Sequence, residues 1–252
     1  MGCAHKQNQD GFTLVEIAIV MIIIGLLVGG TFGGIRLVGN MKVQKAIQDL
    51  KSINSAALIF KDTYGRIPGD MPNASARLPD CTDAPCINSG DGDRQLDATV
   101  ISRALINENS ERFVFWHHLK AANLLSNKIK AVNDLNYGMG QPAAPLGGGY
   151  RIDKINGQFG GSNPPEVPSY VFQGAVIFNV VEPIQALNWP TPMITPCQLI
   201  SSIDRKMDDG FAYNGFLQGW ACATTLGSGS GDPNAPYNRT PRGAVVYDLK
   251  GF

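Results

Sequence analysis

The chain is 252 residues long at 27.0 kDa, the size of one large domain or two small ones. Its 21 basic and 21 acidic residues cancel, which argues against a free-standing basic surface for duplex nucleic acid, and its 44% hydrophobic and 17% charged content excludes bulk disorder. Three histidines are too few for a His-rich metal enzyme, and 29 glycines with 16 prolines, without a collagen period, point to a loop-rich domain.

The apolar residues are unevenly spent. From Phe12 to Gly34 the only charge is Glu16, and these 23 residues would make a helix of about 34 Å, enough to cross a bilayer core. An ordinary secretory signal fits poorly. The segment Met1 to Gly11 is only weakly basic, with Lys6 offset by Asp10, the apolar run is longer than a normal signal core, and Glu16 sits inside it. A membrane carboxylate costs on the order of 2.5–3.5 kcal/mol near the bilayer centre and less near the edge, so Glu16 needs a partner.

The residues Gly11-Phe12-Thr13-Leu14-Val15-Glu16, followed by this run, resemble the processing site of type IV prepilins and of type II secretion pseudopilins. The resemblance implies that Gly11 ends a polar leader removed by a prepilin peptidase, and that Phe12 becomes the N-methylated first mature residue. Glu16 is then the acid that meets the N-terminal amine of a neighbouring subunit. It further implies a structural subunit of a pilus-like or pseudopilus filament, with no turnover chemistry of its own. Its partners would be the peptidase, membrane lipid, the inner-membrane assembly platform, and other pilins or further copies of itself. The chain would sit first in a bacterial inner membrane, single-pass with its globular part extracytoplasmic, and then in the filament. The alternatives are a minor, adhesin-like binding subunit and, less favoured, a membrane-anchored enzyme.

Beyond the apolar run, Val43, Ala46, Ile47, Leu50, Ile53, Ala57 and Leu58 recur at helical spacing among charged and polar residues. Gly65 and Pro68 end the pattern. The expected organisation is a leader over 1–11, a long helix over 12–64 with 12–34 in the membrane, and a globular domain over 65–252. Gly25, Gly29 and Gly33 form a ladder that permits close helix approach. Arg36, Lys42, Lys45 and Lys51 make the flank basic, which by the positive-inside rule would face the cytoplasm. The pilin resemblance implies the reverse, and the cysteines agree with it.

Removal of the leader removes Cys3 and leaves Cys81, Cys86, Cys197 and Cys222, an even set suited to an oxidising compartment. Zinc is the rival use, but Cys197 and Cys222 do not form a second close pair. The expected bonds are Cys81–Cys86 across the turn-like Thr82-Asp83-Ala84-Pro85 and Cys197–Cys222 between a helix and a strand.

The segment from Pro68 to Val100 holds six Asp against two Arg and reads as an acidic loop region. Asp91, Asp93 and Asp97 are candidate calcium ligands, although their spacing is not that of an EF-hand. A helix is expected over Ser110 to Leu125, then coil to Gly149 and a β-rich segment from Tyr170 to Val181. A further helix starts at Thr195-Pro196-Cys197-Gln198, with Thr195 as its N-cap, and runs to about Met207. Short strands are expected near Gly219 to Thr224 and Gly243 to Leu249, separated by a flexible stretch from Gly227 to Pro236. Adjacent His117 and His118 point about 100° apart on a helix and cannot chelate one metal together, so one should be packed and the other wet. These elements make an α+β, pilin-like architecture: a long N-terminal helix packed on a small antiparallel sheet with long loops.

Overall fold

A computed structural model describes residues 13–82, 84–88, 90–96, 109–125, 129–130, 132–154, 175–180, 195–212, 214–220, 222 and 244–249. The chain divides into two compact units, 1–41 and 42–252. The helix α1, Leu14–Tyr64, contributes to both. In the first unit it is a bare apolar helix whose large side chains from Leu14 to Val38 are exposed wherever they are described.

In the second unit the remainder of α1 has a buried stripe of Val43, Ala46, Ile47, Leu50, Ile53, Ala57 and Phe60, the three-and-four spacing of one helix face. The helix stops at Gly65, which takes a positive φ of 66° and donates its N–H to Lys61 O at 2.8 Å. Arg77 Nη2 caps the end by donating to Tyr64 O at 2.7 Å.

After a single turn of helix, α2 (Ala74–Arg77), comes α3 (Glu111–Ala121), which is buried on nearly every side; Lys120 is its one partly exposed residue. Then follow β1 (Gly149–Lys154), β2 (Ala175–Val180), α4 (Cys197–Met207), β3 (Leu217–Trp220) and β4 (Ala244–Asp248). The four strands form one sheet in the order β1-β2-β4-β3, with every neighbouring pair antiparallel. The helix α3 packs on β1 and α4 on β3, and α1 joins them through a common core that includes Leu50, Phe60, Trp116, Leu119, Ile152, Ile200 and Leu217. The architecture is α+β, an apolar N-terminal helix followed by helices and a small antiparallel sheet.

Several local expectations need correction. The α3 helix ends at Ala121 and not Leu125, because Asn123 adopts φ 59°. Asn123 N donates to Lys120 O at 2.8 Å and Leu124 N to Leu119 O at 2.9 Å, the Schellman closure with asparagine in the place glycine usually takes. The coil expected up to Gly149 ends there, and β1, a strand outside the expected set, follows with Tyr150 and Ile152 in the core. Thr195 is not the cap of α4: Pro196 holds that position, its carbonyl accepting from Leu199 and Ile200, while Thr195 is buried in an isolated bridge. Both histidines of α3 are buried, with neither left wet.

Candidate functional site

The N-terminal site begins at Thr13, since Gly11 and Phe12 lie outside the described residues. Thr13 N–H and Oγ1 both donate to Glu16 Oε2 at 2.8 Å, and Glu16 N–H donates back to Thr13 Oγ1 at 3.3 Å. This is a reciprocal capping box, which satisfies orphan donors at the helix start and fixes Glu16 on the first turn. A carboxylate offers about four lone-pair sites, so capping leaves it capacity for a further cation.

Leu14–Thr31 is long and apolar enough to cross a membrane, with mean hydropathy 2.5 and none of it buried within the chain. Thr31 Oγ1 donates to Leu27 O at 2.7 Å, so its hydroxyl is satisfied without water. A Cβ added at Gly25, Gly29, Gly30 or Gly34 would meet nothing within 4 Å. Nothing packed against them in this chain requires those positions to be small.

The acidic loop is built differently from the expected Asp91, Asp93 and Asp97 trio. Asp97 lies outside the described residues. Asp93 Oδ1 accepts from Gln95 N–H at 2.7 Å, and Asp91 Oδ1 accepts from Asp93 N–H at 2.9 Å, both local turn bonds. The organising group is Asp70, which is fully buried: Oδ1 accepts from Gly92 N–H and Oδ2 from Arg94 N–H, each at 2.7 Å. Arg66 Nη1 donates to Gly92 O at 2.7 Å, pinning the same loop from the other side. Gly90 lies against Asp70 and Glu111 so closely that a Cβ there would collide with Asp70 backbone, so the loop can seat only with glycine at that point. Burial raises the Asp70 carboxyl above the ordinary carboxylate range, against the two amide bonds that pull it down, and the charges of Asp93 and Asp91 push the same way as burial.

Single oxygens of Asp70, Asp91 and Glu111 lie within 4.8 Å of one another, a separation that suits three ligands on one calcium ion. Glu111 opens α3 and Asp70 stands some twenty residues before the loop, so neither shows in the spacing of the acidic run. Three carboxylate oxygens are fewer than the six to eight calcium takes, and the rest would come from carbonyls or water. The calcium expectation is tested by melting the unit from Lys42 onward. A bound ion raises the midpoint with calcium concentration, magnesium does less, and chelator reverses it. An unchanged midpoint at millimolar calcium leaves an acidic turn held by Asp70.

A second carboxylate group, Asp204, Asp208 and Asp209, closes α4. Asp204 Oδ1 accepts from Gly210 N–H at 3.2 Å, Asp208 Oδ2 from Leu217 N–H at 2.9 Å, and Asp209 Oδ1 from Phe211 N–H at 2.8 Å. The Asp208 bond ties the helix end to the start of β3, and the other two close the turn directly after α4. Both disulfides are formed, Cys81–Cys86 with Cα atoms 5.4 Å apart and Cys197–Cys222 with Cα atoms 5.5 Å apart.

Residues 6–32 match the family model described as the prokaryotic N-terminal methylation motif. That segment carries prepilin-type cleavage and methylation, and it sits here on an exposed apolar helix opened by a capping box. The N-terminal segment is thus of the prepilin type, the kind of start that type IV pilins and pseudopilins carry. The motif implies processing by prepilin peptidase and assembly with pilins, and with the apolar helix it indicates a membrane-anchored prepilin. No curated protein and no solved structure matches the chain.

Proposed function

We propose that the protein is a structural subunit of a type IV pilus-like or type II secretion pseudopilus filament. Its α1 helix holds it in the inner membrane until assembly and then packs against α1 of neighbouring subunits. The observation that carries this reading is the methylation motif on a helix whose apolar side chains find no cover in their own chain. A wholly exposed apolar helix is stable only in lipid or against other helices. The open space around Gly25, Gly29 and Gly30 supports the second environment, because small residues there let another helix backbone approach. Cleavage falls between Gly11 and Phe12, and the globular part from 65 onward is extracytoplasmic, in keeping with its disulfides. The segments Tyr64 to Asn73, Trp116 to Leu125 and Ile203 to Gly210, all beyond the matched residues, also resemble a subgroup of large bacterial pilin-like proteins.

Intact mass of membrane-extracted protein should show loss of the first eleven residues and gain of one methyl group. A chain still beginning at Met1, or one cut after Gly30, would sink the reading. The charge pair gives a second test. Mature Phe12 bears an amine and Glu16 a carboxylate, and two such charges persist in lipid only when paired, since an unpaired one costs several kcal/mol. Glu16→Ala should therefore be cleaved normally but enter filaments poorly, seen as accumulation in the membrane fraction and loss from sheared filaments. Normal incorporation of the variant would refute the pairing.

A further inference from the structure

We propose that His118 is an acid-released latch, which at neutral pH ties the Ile67–Asp70 turn and the loop around Cys86 to α3 and lets both go when its ring is protonated. The ring is fully buried, and both nitrogens are used. Gly69 N–H donates to Nδ1 at 2.9 Å, and Nε2 lies 3.1 Å from the carbonyl oxygen of Cys86. Only the neutral Nε2–H tautomer can accept on one side and donate on the other. Protonation places a second N–H against the N–H of Gly69. Donor then faces donor in a site without exposure, and the contact breaks.

What the latch holds is specific. Gly69 has φ 90° and packs against the Glu111 backbone so closely that no Cβ fits, so the turn can approach α3 here only with glycine. The next residue is Asp70, whose two oxygens hold the amides of Gly92 and Arg94. Release of Gly69 therefore withdraws the anchor of the 90–96 loop as well. On the other side, Cys86 is tethered to Cys81, so the carbonyl that receives Nε2–H belongs to a cross-linked loop.

The surroundings keep the ring neutral. The α1 helix offers it the face of Phe60, stacked at 6.2 Å between centroids and 6° between planes. The turn offers a backbone N–H, with Asp70 the charged group there and both its oxygens engaged. The loop offers a carbonyl and a disulfide, and α3 itself offers His117, with Lys120 beside that residue. Among the described residues no carboxylate bonds the ring to stabilise its charged form. Burial lowers His118 from 6.5 to about 4, with the Cys86 carbonyl pulling weakly the other way. A histidine depressed in the fold supports it fully above pH 6.5, and that support is lost as pH falls toward 4. His117 is lowered to about 4 as well, by burial first and then by Lys120 and His118, so a test has to separate the two.

Hydrogen exchange of the full chain in detergent micelles does so, with rates taken relative to an unstructured peptide at the same pH. Protection of peptides covering 65–96 should fall about tenfold or more between pH 6.5 and 4, while peptides of α4 and β3 hold theirs. His118→Gln, whose amide can accept from Gly69 and donate to Cys86 without titrating, should flatten that profile, and His117→Gln should keep it. Unchanged protection in the native chain, or the same acid loss in His118→Gln, overturns the latch. Should His118→Gln fail to fold, nitrogen chemical shifts of the native imidazoles decide. The chain has three histidines, so His118 is readily assigned. A neutral Nε2–H tautomer protonating in step with the loss of protection supports the latch, and an Nδ1–H tautomer overturns it.

Discussion

Trp116→Ala should destabilise the unit from Lys42 onward by about 3–5 kcal/mol, whereas Trp116→Phe should cost far less. Trp116 is fully buried in the common core and sits edge-on to Phe115, with ring centroids 5.1 Å apart and an interplanar angle of 84°. It lies on α3, the helix that touches β1 and shares its core with α1, so the vacated volume opens between elements and not at a margin. Removal of the side chain loses the transfer free energy of a large ring and leaves a cavity that a helix buried on nearly every side cannot collapse into. Phenylalanine keeps most of that volume. It also deletes Nε1–H, a buried donor with no hydrogen-bond partner among the described residues, so part of the lost contact is returned. Urea unfolding of the two variants measures both. Equal losses for alanine and phenylalanine would mean that the vacated volume collapses at no cost, since both variants lose the indole nitrogen alike.

What the sequence made legible follows from how local each signal is. The α1 helix announces itself because a long apolar run and then a three-and-four stripe are carried by neighbouring residues, and its end at Tyr64 follows from the conformation only Gly65 takes easily. The α3 helix was legible as a helix but not in its length, since its stop depends on Asn123 entering a left-handed conformation that asparagine visits only sometimes. In β1 the alternation of Tyr150 and Ile152 is masked by Gly147-Gly148-Gly149 before it and by Arg151, which is buried on the opposite face of the strand. At α4, Thr195-Pro196-Cys197-Gln198 carries the residues of a cap, but Thr195 is buried in a bridge instead. The acidic group was the least legible. Asp91 could be read from its loop, but Asp70 and Glu111 arrive from a turn after α1 and from the first residue of α3. Spacing cannot announce a meeting that depends on three separate elements packing together. The two histidines fail for the same reason: helix geometry separates their directions, yet α3 is enclosed on both sides.

Loss of the Cys197–Cys222 bond should cost about 3–4 kcal/mol, against about 2 kcal/mol for Cys81–Cys86. A cross-link stabilises chiefly by restricting the unfolded chain, so its contribution grows with the loop it closes, and the separations here are 25 and 5 residues. Position acts in the same direction. Cys197 is the first residue of α4 and Cys222 follows β3, both are fully enclosed, and α4 packs on β3. The longer bond thus joins a helix to the residue after a strand, while the shorter one closes a single short turn whose two cysteines are also buried. Alanine pairs are the cleaner variants, because two serines would leave buried hydroxyls in need of partners. In urea the Cys197→Ala, Cys222→Ala protein should unfold at lower denaturant with a steeper dependence, since its unfolded state exposes more surface once the link is gone. Cys81→Ala with Cys86→Ala should shift the midpoint less and leave the slope nearly unchanged. The reverse order of the two effects would show that the stabilisation comes from native contacts around Cys86 and not from loop closure. Non-reducing peptide mapping of protein from the cell envelope fixes the premise, and a link from Cys81 to Cys197 or Cys222, or four free thiols, would remove it along with the support the bonds lend to an exported domain.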